Sequence, residues 1–520
     1  MIGVAFALGD AAGPVVEAGL IRSFTASQVR RVDGPAPEGM AFLVVVNPQG
    51  ALSSLAGQVA AQGGKVLLLG ALDTAAAALA GVVAEPLPAD TAAWAACASA
   101  PTYGTTASDG LIRYTDHPLA GASPFQERPL LRFDFTEEWN NLGYGRIEGS
   151  GQWGLAQGAR CDGASLIAAV NVGGEDRLPF ITLHDQTVGG SVLWINRAVG
   201  LVDSLEWALV EAFFSDYRPD DRPCLPHLRE APYGVGAVVS MRLDCDEDIK
   251  SARPLFELYR SRGVPFSLAV KTAQPAVEED FALLREVAAA GGAVLSHSVN
   301  HYVRWGDDPG IALQEAVDSR AWLQEHLPHI PIRHMVSPFH QTPVFVPPLL
   351  AQAGYEGFIG GVVSAEPDYI LARGGIVPGA AFPFVSHAQQ CMVHGDCLLA
   401  EGDPLAVYKR AFDAALATSA IFGFLDHPFS PRYSYGWLDE AQRLQAHAAF
   451  LDYIQASAQP AGGVWFVNED QCLDLVRRRM ACALNVEEGQ VRLTDPLAGD
   501  GPPLAVRWRG KTLSATELGA

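Results

Sequence analysis

"VVSMRLDCDED", residues 238–248, is an apolar run that takes in one arginine and then breaks into four acidic side chains around a cysteine. The apolar part has the Val and Leu content of a strand buried in a parallel sheet. In α/β folds the chemistry gathers on loops leaving the C-terminal ends of such strands, which is where these carboxylates fall. The pattern then repeats in "PFSLAVK", "AVLSHS", "IRHMVSP", "GFIGGVV", "IFGFLDH" and "VWFVNE". Helix patterns such as "EEDFALLREVAAAGG" and "AQRLQAHAAFLDYIQAS" lie between most of them. About seven strands alternating with helices predict a parallel sheet, open or closed into a barrel. Residues 364–402 lack a clear period and read as an insertion over one face.

Polar residues recur at the ends of these strands: "HSVNH" (297–301), "SPFHQ" (337–341), "LDHPFS" (425–430) and "NED" (468–470). His297 and His301, four apart, share one face of a helical turn and can reach one metal ion. Asp244 and Asp246, two apart, point the same way if the strand continues, so one can bind the ion while the other stays free as a base. Two histidines and one aspartate leave coordination positions open for water. Glu247 and Asp248 are expected to start the next helix, where negative charge is favoured. Cys245 is expected to face the wall of the fold and be inert.

The rest of the 520 residues sets the context. At this length two to four domains are expected. A formal charge of -22 argues against nucleic acid and against anionic membranes. No apolar run is long enough to span a bilayer. The start, "MIGVAFALGDAAGPVV", lacks the basic and long apolar regions of a signal peptide. As written the chain is expected to be cytoplasmic, and exported or in the cell envelope if the natural chain is longer. Eight scattered cysteines read as reduced thiols. "CMVHGDC" (391–397) reads as a loop rather than a metal site.

Residues 1–232 open with "AFLVVVN" and "KVLLLG" around a helix pattern, a β–α–β unit resembling flavodoxin-like or amidotransferase-like domains. The β-rich stretch at about 129–200 either returns to that sheet or forms its own module. Trp153 and Trp194 within it suit a core better than a sugar platform. "RPDDRPCLPHLREAPYGVG" reads as a Pro-rich linker, and 481–520 as a small β addition.

Asp-x-Asp after the first strand, His-Ser-x-x-His after the third and Leu-x-His on a late strand together resemble the polysaccharide deacetylase (NodB-homology, carbohydrate esterase family four-like) superfamily. The match covers about residues 236–480, within a domain expected over 233–480. The resemblance implies a distorted (β/α)7 barrel, a divalent metal, most often Zn2+, and hydrolysis of acyl groups, chiefly N-acetyl on aminosugars. Residue by residue it implies Asp244 as general base, Asp246, His297 and His301 as metal ligands, and His427 as general acid. The superfamily's arginine after the fourth strand is missing from Val336-Ser337-Pro338-Phe339-His340, and Arg333 or Arg242 could stand in. His340, Trp305, Tyr435 and Trp437 are expected near a carbohydrate substrate, Ser298 as a brace for the histidine loop, and Asp470 as support for His427. His387 and His394 are expected at the mouth or surface. Alternatives are a deformylase or amidohydrolase on a small or lipid-linked amide, or a non-catalytic carbohydrate-binding barrel.

Overall fold

In the computed structural model, all residues are described except 36, 92–109, 121–127, 131, 134–144, 147–150, 187–188, 202–203, 275, 304, 341, 344, 361–372, 378–379, 389–390, 431, 500 and 519–520. Each apolar run of the first part becomes a strand with little or no exposure, including Ile2–Ala5, Phe42–Val46 and Lys65–Leu69. These pair in parallel, with Val29–Arg31 on one side and Ser191–Ile195 on the other. Beyond Ser191–Ile195 the same nine-stranded sheet continues antiparallel through Glu175–Asp185, Leu166–Val172, Leu111–Tyr114 and Arg128–Pro129. The β-rich stretch therefore returns to the first sheet. Trp153 and Trp194 are buried in it.

The second sheet is built on Ala237–Cys245. Its odd-numbered side chains, from Ala237 through Met241 to Cys245, pack under the surrounding helices, and Val238 faces the other side. On one edge Ile421–Asp426 runs parallel to it. The other edge is shared, Val464–Val467 pairing with Ala237–Ser240 and Ser267–Val270 with Arg242–Cys245. From there Ala293–Ser296, His334–Val336, Gly357–Gly360 and Val385–Ala388 follow in parallel. Among the described residues no ladder joins Cys391–Met392 at one end of this ten-stranded sheet to Gly375–Ile376 at the other. Helix Glu469–Ala481 covers the face that carries Val238, placing Cys472, Leu473 and Val476 against Val238, Leu295, Val336, Ile359 and Val385.

The reading of 364–402 as an insertion is corrected. Gly375–Ile376, Val385–Ala388 and Cys391–Met392 all join the sheet, but as strands of two to four residues, too short to show a period. The expected linker is also built in, since His227–Leu228 pairs with Ala505–Trp508, itself one arm of a hairpin with Lys511–Ser514. The two sheets are joined by buried charges. Arg22 donates to the carbonyls of Arg373 and Ile376, Arg373 forms an ion pair with Glu211, and Arg479 donates to the carbonyl of Arg22. Burying so many charges is tolerated only because each finds a partner.

Candidate active site

The even-numbered face of Ala237–Cys245 carries Ser240, Arg242 and Asp244, and Asp246 continues it past the strand end. Asp244 receives two hydrogen bonds from the fully buried Arg242, at 2.7 and 3.0 Å. Burial alone would raise the Asp244 carboxyl, but the Arg242 charge, with His297 and the Arg242 hydrogen bonds, outweighs it and holds the group well below the ordinary carboxylate range. Arg242 is thus the arginine that holds Asp244, gripping both of its carboxylate oxygens. Arg333 does not hold Asp244, since it pairs with Glu356 and Asp474 away from the cleft.

Asp246 Oδ1 lies 3.5 Å from His297 Nε2 and 3.8 Å from His301 Nε2. His297 Nδ1 is 3.0 Å from the Val336 carbonyl, which can only accept, so Nδ1 carries the proton and Nε2 presents a lone pair. Asp246 Oδ1 is buried and accepts no hydrogen bond. Burial and the neighbouring Asp244 push its carboxyl up to about 6, while burial and His297 push His301 down to about 2. Three convergent donors, one an orphaned carboxylate oxygen, fit a divalent cation.

The two histidines do not meet on a helical turn as expected. They sit on an irregular loop in which Ser298 and His301 have φ of 64° and 54°, bringing the rings to 4.6 Å. Ser298 Oγ accepts from the His301 N–H at 3.1 Å, bracing that loop. Glu315 does more, accepting from the N–H groups of Val299 and Asn300 and from the Asn300 amide. Sequence reading missed Glu315, which sits in helix Pro309–His326 with nothing to mark it.

His427 closes the far side, its Nε2 3.7 Å from Asp246 Oδ2. Its backbone N–H donates to the buried carboxylate of Asp426, which also accepts from Arg443 and His447. Tyr435 stacks on its ring at 4.3 Å, and Nδ1 lies 2.8 Å from His394 Nε2. Burial and His394 push His427 down to about 3. The cleft between these walls is about 240 Å³ and is also lined by Glu247, Lys271, Phe339 and Tyr433.

Other placements differ from expectation. Trp305 and Trp437 are core residues, 0% and 2% exposed, and cannot touch substrate. Asp470 bonds His334 at 2.5 Å, not His427. The reason is depth: Val464–Val467 ends opposite Ser240, short of Asp244 and Asp246. Glu247 lines the cleft rather than starting a helix. His387 is buried against Glu469, and His394 is inside the cleft wall rather than on the surface. Cys245 is sealed in the wall, burial pushing its thiol up. The side chain of His340 lies outside the described residues.

No family model matches the chain. In structure the chain is similar to polysaccharide deacetylases and carbohydrate esterases over under half its length. The chitin deacetylase of the fungal pathogen Colletotrichum lindemuthianum has 12% identity and a TM-score of 0.32, over 47% of this chain and 89% of that one. A family 4 acetyl xylan esterase from Clostridium thermocellum has 14% identity and a TM-score of 0.29, over 46% and 91%. An allantoinase has 14% identity and a TM-score of 0.36, over 48% and 92%.

Proposed function

We propose that the chain is a metal-dependent deacylase that removes N-acetyl groups from an aminosugar-containing glycan or glycoconjugate. One observation carries the reading: an ionised Asp244, the donors Asp246, His297 and His301, and the imidazole of His427 all face a single cleft. A divalent cation held by the three donors, zinc by their chemistry, would supply a Lewis acid for the acyl carbonyl and a water of lowered pKa. Asp244, held by Arg242 as a carboxylate, takes the proton of the attacking water. His427 delivers a proton to the nitrogen as the C–N bond breaks, without which an amine is too poor a leaving group. Tyr433, half-exposed at the mouth, offers a ring on which a sugar can stack.

A second reading, a small amide, is favoured by the cleft's size. About 240 Å³ holds an acyl group and one ring rather than a run of sugars, below the roughly 300 Å³ at which ligand pockets usually begin. Metal analysis followed by acetate release from N-acetylglucosamine oligomers and from small N-acyl amides tests both. Metal-dependent release from the oligomers supports the glycan reading, and release from small amides alone supports the second. Activity that survives complete chelation overturns both.

A further inference from the structure

Lys271 follows strand Ser267–Val270, and the backbone around it is fixed on two sides. In the parallel register Cys245 lies opposite Val270, so Lys271 leaves the sheet beside Asp246. Its N–H donates to the Cys245 carbonyl at 3.3 Å, and Gln274 Nε2 donates to the carbonyls of Cys245 and Lys271 at 2.9 and 2.8 Å. The next two residues bond the histidine loop, the Thr272 N–H to the Ser298 carbonyl at 3.1 Å and the Ala273 N–H to the Val299 carbonyl at 2.9 Å. Lys271 is thereby clipped to both segments that carry Asp246, His297 and His301, and its place relative to them is set.

The Lys271 side chain is half-buried and lines the cleft. Its ammonium forms no ion pair and no hydrogen bond among the described residues, although three acids line the same cleft. Asp244 is taken by Arg242, and Asp246 turns Oδ1 to His297 and His301. Glu247 is the third, and it does not pair with Lys271. A half-buried ammonium without a counterion has lost hydration and gained no protein contact in return, and an anion entering the cleft would supply one. We propose that Lys271 is a specificity-determining residue that selects substrates carrying a carboxylate or phosphate close to the acyl amide. The inference rests on the deacylase reading and narrows it to anionic substrates. With about 240 Å³ to fill, the cleft places that anionic group on the ring or small skeleton that bears the amide. A chain of formal charge -22 repels such a substrate at long range, so a cation inside the cleft also counts in its capture.

The test compares N-acetylglucosamine, its 6-phosphate and N-acetylmuramic acid, which carries a carboxylate, on metal-loaded enzyme. Wild type is expected to favour an anionic sugar about 10–100-fold in kcat/KM, mostly through KM, and the sugar preferred separates phosphate from carboxylate as the group recognised. Lys271→Met, which keeps the stem without the charge, is expected to lose that preference while kcat on the neutral sugar stays within about threefold. Lys271→Arg, which keeps the charge, is expected to retain most of it. Calorimetry of glucosamine 6-phosphate against glucosamine reads the same preference without turnover. No preference in wild type, the result if Lys271 only offsets Glu247, overturns the role of Lys271 and leaves the deacylase reading intact. So does a preference that survives Lys271→Met. A wild type that binds the phosphate through Lys271 and hydrolyses none of the three sugars overturns the aminosugar reading instead, and leaves Lys271 as an anion-binding residue.

Discussion

Of the three groups of side chains among the described residues that could hold a metal ion, two have opposite fates. Asp246, His297 and His301 converge at the strand ends, and His387, Glu469 and Cys472 converge inside the fold. By residue type the second is as good a ligand set as the first. In the buried group the carboxylate is already engaged on both oxygens: Glu469 accepts from Ser240 Oγ at 3.1 Å and bonds His387 Nε2 at 2.8 Å, and its own N–H donates to Ser267 Oγ. Burial opposes charge on both groups, but Cys472 and Glu469 hold His387 above its ordinary value and His387 holds Glu469 below its own. In the open group Asp246 Oδ1 accepts nothing, and the cleft beside it has room for a cation and a ligand. A site is marked by donors left unsatisfied beside usable space, and residue type alone does not distinguish it from an ion pair.

The comparison breaks first on stoichiometry. Asp246→Ala or His297→Ala is expected to lose the metal and to lower activity by about a thousandfold or more. Cys472→Ser is expected to leave the metal content at one equivalent. Elemental analysis showing two equivalents, one of them lost in Cys472→Ser, would make the buried group a site after all. Arg242→Ala is next. It strands the buried Asp244 carboxylate, so a kcat loss of about a hundredfold is expected, with a stability loss of about 3–5 kcal/mol. Arg242→Lys should recover little, since an ammonium cannot grip both carboxylate oxygens as the guanidinium does. Steady-state kinetics with denaturant melts check both halves of that expectation.

The apolar runs 237–245 and 421–426 were legible because they are long enough to show a strand pattern, and the acids and histidines at their ends followed from the rule for strand ends. What was not legible depends on depth and on short elements. Asp470 looked like a strand-end residue, but its strand stops level with Ser240 and the side chain goes to His334. His394 follows a two-residue strand whose register only its neighbour reveals. Trp305 and Trp437 sit near the site in sequence and in the core in space, because an aromatic flanking a polar loop carries no sign of which way it points. Glu315 acts on loop residues 15 and 16 positions away, which no local pattern encodes.

A pH measurement sharpens the same contrast. Without metal, burial holds the Asp246 carboxyl up near 6, above the value of about 3.8 it has when unfolded. An acid raised in this way stabilises the fold below its unfolded value, and that contribution is lost as pH rises through about 6. The metal-stripped chain is therefore expected to lose melting temperature between about pH 4 and pH 6 relative to Asp246→Asn, and to regain it when zinc is added. Parallel melting curves for wild type and variant would defeat the idea that Asp246 sits uncompensated.

The smallest effect on activity is expected from the buried group itself. Glu469→Gln keeps the shape and a hydrogen-bonding carbonyl but removes the charge opposite His387, leaving an imidazole either charged without a counterion or neutral with a poorer partner. Stability is expected to fall by about 1–3 kcal/mol, while kcat stays within about threefold, because Glu469 lies at the depth of Ser240 rather than of Asp246. Arg242 decides whether that separation holds, since its charge is felt by both Glu469 and Asp244. If the guanidinium needs Glu469 to stay in place, Glu469→Gln will lower kcat as Arg242→Ala does, and the buried pair will count as part of the support for the base. If kcat is unchanged while the melt shifts, the two groups are energetically separate.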